Sequence, residues 1–329
     1  MSDHFAITAA DVEDAARVIA PAAVRTPLLE NAVLNERCGR RVLVKFEGAQ
    51  HGGSFKFRGA YNRLARLDAG QREAGVVAWS SGNHAQGVAF AAQLLGIPAT
   101  IVMPADAPAI KTANTRALGA EVVAYDRLTE SREEIATALA AARGAVLVPS
   151  FDDPFIMAGQ GTIGLEILQQ AEEIGVAIGQ ILVNCGGGGM VSGIATAVKA
   201  RRPGVAVHAV EPEGFDDTAR SLKSGRRESV SPEARSICDA LLSPSPGALT
   251  FPINQALLAG GLVVSDEAVR EAMRFAFSAL KLVAEPGGAV ALAAMLAGKA
   301  PQAEGASVVV ISGSNVDPGS YARIIAGGA

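Results

Sequence analysis

Cysteine is scarce and scattered in this chain: Cys38, Cys185 and Cys238 form neither a closely spaced metal pair nor an even disulfide set. A reducing, cytoplasmic setting is the expectation. Histidine is also rare, with four residues and no zinc-type spacing among them, which argues against a zinc module. Nor are basic residues in excess. Lys and Arg number 29 against 33 Asp and Glu, a net charge of −4, and no basic arm or stripe breaks that balance, so a nucleic-acid partner is not expected. No uninterrupted apolar run reaches the roughly 18 residues of a membrane span. Met1 to Phe5 lack the positive and apolar regions of a secretory signal. Aromatics are few, and there is no internal repeat or low-complexity tract beyond a general richness in alanine.

What is present is aliphatic. Hydrophobic residues make up 49% of 329 residues and charged residues 19%, the balance of a packed α/β enzyme of one large or two coupled domains. A helix is expected over 8–20, opened by Thr8 and Asp11 and stopped by Pro21. A strand over 42–47 leads to the run Gly53-Ser54-Phe55-Lys56-Phe57-Arg58-Gly59, and a helix over 57–67 leaves it. From residue 76 strands and helices alternate: strands at 76–79, 99–103, 121–125 and 145–148, helices at 84–95, 109–118 and 129–142. The alternation resumes with a helix over 158–175, strands at 180–184 and 205–210, an irregular segment over 225–252, a strand at 262–264, helices near 265–280 and 286–298, and a strand at 307–311. Such alternation implies parallel, right-handed βαβ units. The expected architecture is two doubly wound α/β domains with mostly parallel sheets: a large one from residues 1–75 plus 151–329 and a small inserted one from 76–150.

Several strand ends carry chemistry. Lys56 lies between two aromatics at a strand-to-helix transition, where an apolar setting lowers a lysine pKa and frees the amine as a nucleophile. Gly186, Gly187, Gly188 and Gly189 follow a strand and open a helix near Met190; this is either a flexible linker or a cup of backbone N–H groups for a phosphate. It is not the dinucleotide fingerprint. Ser80-Ser81-Gly82-Asn83-His84 reads either as a helix N-cap or as a carboxylate-binding loop. Ser312-Gly313-Ser314-Asn315 closes the last strand, and Glu285-Pro286-Gly287-Gly288 is either a further wall or an ordinary helix start. In the loop 211–217, Glu211 and Asp217 offer oxygens to a hard cation, unless Asp216 or Asp217 simply caps the next helix.

The stretches GSFKFRGA (53–60), SSGNHAQGVA (80–89), PADAPAIK (104–111), AGQGT (158–162), CGGGGMVSG (185–193) and ISGSNVD (311–317), in this order, resemble the pyridoxal-phosphate enzymes of the serine/threonine dehydratase and serine racemase family. The likeness covers nearly the whole chain and implies the tryptophan synthase beta-like fold of type II pyridoxal-phosphate enzymes. By that resemblance Lys56 holds the cofactor covalently and Phe55 packs on its ring. Asn83 bonds the ring's phenolic oxygen, while Gly186 to Gly189, with Met190, receive the phosphate. Ser312 faces the pyridine nitrogen. Ser80, Asn83 and His84 hold the substrate carboxylate, and Arg132 is a candidate for a second carboxylate, against the alternative of a solvated arginine paired with glutamate. Glu211, the Phe215 carbonyl and Asp217 match the Mg²⁺ or Ca²⁺ site of the racemase-like members.

The implied reaction removes water and then ammonia from a β-hydroxy-α-amino acid such as threonine or serine, with Lys56 as the base on the si face. Ser81 stands where racemases carry an opposite-face acid/base, which keeps amino-acid racemisation as an alternative. Substrates such as 3-hydroxyaspartate or a hydroxyectoine-derived amino acid are further alternatives, the latter from likeness at Gly214-Phe215-Asp216-Asp217 and at 236–242. Ser314 replaces the second glycine of the more usual SGGN. The chain ends at Ala329 without the regulatory extension of biosynthetic threonine dehydratases, so control by isoleucine is not expected. A homodimer is.

Overall fold

The computed structural model describes residues 5–80, 82–107 and 109–328. The chain opens with α1 (Ala9–Ile19), whose Thr8 and Asp11 bond reciprocally as a capping box. There follow β1 (Leu28–Glu30), α2 (Ala32–Cys38), β2 (Val42–Phe46), α3 (Lys56–Leu64) and α4 (Ala69–Ala74). Next come β3 (Val76–Trp79), α5 (Asn83–Leu95), β4 (Ala99–Pro104), α6 (Ala109–Ala117), β5 (Glu121–Tyr125), α7 (Arg132–Arg143) and β6 (Val146–Leu147). The remainder runs α8 (Pro154–Glu173), β7 (Ile178–Asn184), α9 (Gly189–Arg201), β8 (Ala206–Pro212), α10 (Asp217–Ser224), α11 (Thr250–Leu257), β9 (Gly260–Val264), α12 (Asp266–Phe275), α13 (Pro286–Leu296), β10 (Ala306–Ile311) and α14 (Pro318–Ile325).

These strands make two sheets, ordered β1-β2-β10-β7-β8-β9 and β5-β4-β3-β6. All pairings are parallel except β1 with β2. Both sheets are covered on two faces, and the period-2 alternation of each strand says which side chain goes where. In the larger sheet Leu43, Val308 and Val310 face α8 and α9, with Ile163 and Ile194 in their cluster. Val42, Val44, Val309 and Ile311 face the opposite layer of α12 and α13, with Met273, Val290 and Leu292. In the smaller sheet Val76, Ala78 and Ile101 pack on α3 and α5, whereas Val77 and Val102 pack on α7 through Ala136 and Ala140. Burial on both faces is why these strands read as continuous aliphatic runs.

The differences from the sequence expectations are local. The helix expected from 57 begins at Lys56, so the lysine lies in its first turn. The edge strand β1 and the short helices α2, α4 and α14 are not among the elements expected from the sequence, and α11 begins inside the segment expected to be irregular. The helix expected over 265–280 ends as a π-helical turn from Ala276 to Leu280, closed by Lys281 at φ 59°. No helix among the described residues is long and apolar enough to cross a membrane.

A buried ionic cluster fixes the first turns of α3. Arg58 is fully buried and grips Glu47 through Nε and Nη2, at 2.8 and 2.9 Å. It reaches Glu166 on α8 through Nη1 and Nη2, at 2.6 and 2.9 Å. Lys45, also fully buried, gives its ammonium hydrogens to the Thr26 carbonyl, Glu166 and Gln170. Two cations meet two carboxylates with their donors satisfied, the condition under which buried charge is tolerable. The strand β2 and the helices α3 and α8 are thereby tied together two residues from Lys56.

Candidate active site

Lys56 projects where several strand ends converge. Phe55 N donates to the Ser312 carbonyl at 3.1 Å, and Ser54 bridges Gly313, so the segment entering α3 is laid against the loop leaving β10. Lys56 Nζ lies 5.2 Å from the centre of the Phe55 ring and donates to the Ser150 carbonyl oxygen at 2.6 Å. Burial pulls its pKa down to about 8.

One cavity runs from Lys56 to the loop after β7, lined by Phe55, Asn83, Gln160, Met190 and Ser312 and floored by Gly186, Gly187, Gly188 and Gly189. None of the backbone N–H groups from Gly186 to Met190 has a protein acceptor among the described residues, and they open α9. Side chains are excluded from this loop by packing. A Cβ on Gly187 would overlap the Phe151 ring, and on Gly188, where φ is +92°, it would lie 2.5 Å from Asn254 Nδ2. From below, Thr250 Oγ1 and Gly247 N both donate to the Gly187 carbonyl, and Asp152 accepts from the N–H groups of Ala248, Leu249 and Thr250. Free N–H groups at a helix N-terminus, held rigid and clear of side chains, fit a phosphate. At the other end, Ser312 Oγ accepts from Asn184 Nδ2 at 2.9 Å, which leaves its own hydrogen for a ring nitrogen. The residues present therefore fit pyridoxal phosphate.

A second cavity shares Lys56, Asn83, Ser150 and Ala240 with the first. Its other walls include Ser80, Gly82, His84, Arg132, Asp239 and Glu285. Ser80 Oγ accepts from Gly82 N at 3.1 Å and so shapes the loop into α5. The His84 ring is turned away from ligand binding in a specific sense: its Nε2 bonds the Val148 carbonyl at 2.8 Å. Burial, aided by Lys56, lowers its pKa to about 3, so the imidazole is neutral, and what His84 can offer a carboxylate is its backbone N–H in the first turn of α5. Arg132 starts α7, half-exposed, 3.6 Å from Glu133; it borders the cavity and keeps the loose glutamate partner as well. Ser81 lies outside the described residues.

In the carboxylate loop after β8 the capping alternative does not hold. Neither Asp216 nor Asp217 caps α10 by side chain; Glu211, fully buried, does so by accepting from Thr218 N at 2.9 Å and Ala219 N at 2.8 Å. Asp217 Oδ2 is buried with no hydrogen-bond partner, and the Phe215 carbonyl accepts no hydrogen bond among the described residues. Burial, then Asp217, raises Glu211 to about 8, and burial raises Asp217 to about 7. An orphaned carboxylate oxygen in an oxygen-only set fits a hard cation, although no group of three His, Cys, Asp or Glu residues is gathered anywhere among the described residues. Thr218 Oγ1, 3.4 Å from Cys185 Sγ, links this loop to the residue before Gly186.

Further residues, to which the sequence assigns no specific role, complete the site. Gln160, in the AGQGT stretch, lines the cofactor cavity and accepts from Gly59 N at 3.1 Å, and its buried Nε2 has no hydrogen-bond partner among the described residues. Ser150 lines both cavities from a loop whose sequence carries no signal of its own, whereas Asn315, from the loop already noted after the last strand, reaches Asn83 Oδ1 at 2.8 Å. Glu285, a possible wall in the sequence, is buried and accepts from Asn83 Nδ2. A groove of about 660 Å³ between α1 and α8 contains none of these groups, so the site is located by convergence of strand ends rather than by size.

Comparison with known proteins agrees with this geometry. Residues 19–313 match the family model described as pyridoxal-phosphate dependent enzyme. An L-threo-3-hydroxyaspartate ammonia-lyase from a Pseudomonas species is 45% identical over 96% of this chain and 98% of its own. An L-threonine ammonia-lyase of Thermotoga maritima is 41% identical over 97% of this chain and 78% of its own. The solved structure of maize serine racemase superposes with a TM-score of 0.91 at 36% identity, covering 98% of each chain. Family model, relatives and fold agree with one another, and the chain belongs to the pyridoxal-phosphate dependent enzymes.

Proposed function

We propose that this protein is an ammonia-lyase that eliminates the hydroxyl group of a β-hydroxy-α-amino acid such as threonine or serine, releasing a 2-oxo acid and ammonia. The observation that carries the reading is the position of Lys56 between two cavities, one fitted to the cofactor and the other lined by Asn83 and His84, which open α5 and whose backbone N–H groups have no acceptor among the described residues. Pyridoxal phosphate, when bound, supplies the electron sink for the substrate Cα. Lys56 holds it and then takes the Cα proton. Ser80 and the N–H groups of Asn83 and His84 hold the α-carboxylate. Ser312, a neutral hydroxyl, shares a hydrogen with the ring nitrogen without fully protonating it, which favours loss of the β-substituent over amino transfer.

Two charged walls divide the substrate alternatives. Arg132 suits a second carboxylate, as in 3-hydroxyaspartate; Asp239 on the same cavity suits the extra amino group of a hydroxylated diamino acid of the hydroxyectoine-derived kind. Racemisation would need Ser81 as the opposite-face acid/base. The test offers L-serine, L-threonine and L-threo-3-hydroxyaspartate to the holoenzyme and follows oxo acid and D-serine together. Oxo acid from at least one substrate is expected; none from any would overturn the reading. Arg132→Leu should lower kcat/KM for the dicarboxylate at least tenfold while sparing threonine, and Ser81→Ala should remove only D-serine, if any is made.

The smaller sheet, drawn from 76–150, is on this reading an inserted unit that closes over substrate. The net charge of −4 supports the absence of a nucleic-acid partner. A cytoplasmic homodimer is the expected assembly, which light scattering of the purified protein checks.

A further inference from the structure

Asn83 lines both cavities, and its side chain is held in a chain of amides whose ends are acceptors only. At one end Asn315 Nδ2 donates to the Gly52 carbonyl at 2.6 Å and to Asn83 Oδ1 at 2.8 Å. At the other, Asn83 Nδ2 donates to Glu285 Oε1. A backbone carbonyl cannot donate, so Asn315 must present its NH₂ there; a carboxylate cannot donate, so Asn83 must present its NH₂ to Glu285. Neither amide can be turned over without setting two acceptors against each other. We propose that Glu285 is a positioning residue that, with Asn315, fixes the polarity of the Asn83 amide so that its remaining N–H, and never its oxygen, faces the ring oxygen of the bound cofactor. The inference rests on the pyridoxal-phosphate reading of the cavity.

The backbone around Glu285 is built to keep the carboxylate there. Glu285 is 2% exposed and sits at the N-cap of α13, where Pro286 fixes the first turn. Its N–H donates to the Gly313 carbonyl at 3.1 Å, and a Cβ on Gly313 would overlap Glu285 Oε1 and come within 3.1 Å of Asn83 Nδ2. Each residue of Ser312-Gly313-Ser314-Asn315 thus has a separate task. Ser312 meets the cofactor cavity, Gly313 clears space for the carboxylate, Ser314 bonds the Val283 carbonyl at 2.6 Å, and Asn315 anchors the amide chain.

A donor on an anionic ring oxygen lowers the basicity of the conjugated nitrogen joined to Lys56. Losing that donor raises the pH at which the visible absorption of the bound cofactor titrates. The experiment is a spectral pH titration of the holoenzyme and of Asn83→Ala, Glu285→Leu, Glu285→Gln and Asn315→Asp. Expected are an upward shift of about one pH unit in Asn83→Ala and Glu285→Leu, no further shift when the two are combined, and return toward the wild-type value in Glu285→Gln, which keeps an acceptor oxygen. Asn315→Asp sets an acceptor against Asn83 Oδ1 and should shift the titration in the same direction, so the outcome does not depend on Glu285→Leu folding. A shift in Asn83→Ala with none in Glu285→Leu or Asn315→Asp overturns the positioning role alone. A wild-type protein that forms no visible chromophore with pyridoxal phosphate overturns the cofactor reading beneath it.

Discussion

Lys56 Nζ and the Ser150 carbonyl oxygen, 94 residues apart in sequence, are joined by a 2.6 Å hydrogen bond. The bond ties the first turn of α3 to the loop leaving β6, so the amine proposed to hold the cofactor is anchored by a segment from the smaller sheet. Burial is the force acting on its ionisation, since it disfavours the charged ammonium and brings the pKa to about 8. Below that pH the amine is mostly protonated and unable to attack an aldehyde; above it the amine is free.

Reconstitution of the apoprotein with pyridoxal phosphate should therefore speed up as pH rises through 8. The neutral fraction grows roughly fivefold between pH 7 and pH 8 for a group of this pKa, and stopped-flow absorbance should follow it. Lys56→Ala should show no such phase and no activity. His84, neutral because its pKa lies near 3, contributes no step to the profile, so His84→Gln should leave the midpoint where it is; a midpoint that moves with His84 would contradict the assignment to Lys56.

Arg58 carries the structural weight under the same turn. Removing it leaves Glu47 fully buried and Glu166 with Lys45 alone for partner, and breaking a buried pair from one side costs about 3–5 kcal/mol. Arg58→Met should lower the urea midpoint by that equivalent. Glu173, which meets Arg25 at the surface with about half of each side chain exposed, offers the contrast: Glu173→Gln should change stability by less than about 1 kcal/mol.

How legible the protein is from sequence follows from where its information lies. The parallel strands announce themselves because both faces are buried and the run of Val, Ile and Leu is unbroken. The loops at 53–59, 186–189 and 312–315 announce themselves because glycine and small hydroxyl residues at strand ends are locally unusual. Arg58 does not, since a lysine or arginine in a sequence reads as solvated surface and only the fold shows two carboxylates around it. Glu285 is half legible: Pro286 marks a helix start, but its bond to Asn83 joins residues 202 positions apart. The three-residue β1 is too short to show a period, and the capping of α10 by Glu211 depends on a turn that sets a strand-end carboxylate over N–H groups seven and eight residues later.

Gly313 and Ser314 should respond oppositely to small changes. A methyl group on Gly313 has nowhere to go except into the Glu285 carboxylate, and overpacking of this kind costs about 1–3 kcal/mol. Gly313→Ala should also weaken cofactor retention on dialysis, because the displaced carboxylate holds Asn83. Ser314→Gly deletes only the bond to the Val283 carbonyl, about 1 kcal/mol, and should keep the cofactor. Equal loss of cofactor in both variants would show that the loop tolerates no change at all, and that clearance at Gly313 is not the cause.

The carboxylate loop after β8 makes a prediction about metal removal. Asp217 Oδ2 is buried without a hydrogen-bond partner among the described residues, which is unfavourable unless something positive meets it. A divalent cation that binds only the folded chain raises its stability, and about 1 kcal/mol corresponds to roughly 1–2 °C in a chain of 329 residues. Millimolar Mg²⁺ or Ca²⁺ should raise the unfolding midpoint of the holoenzyme by that order, and a chelator should reverse it. Asp217→Asn, which keeps the shape and removes the charge, should abolish the response. Asp216→Asn should preserve it, because Asp216 pairs with Arg220 at 3.2 Å on the outer side of the same turn. If both variants keep the metal response, the cation binds elsewhere, and Asp217 is then a buried carboxyl held in its protonated form.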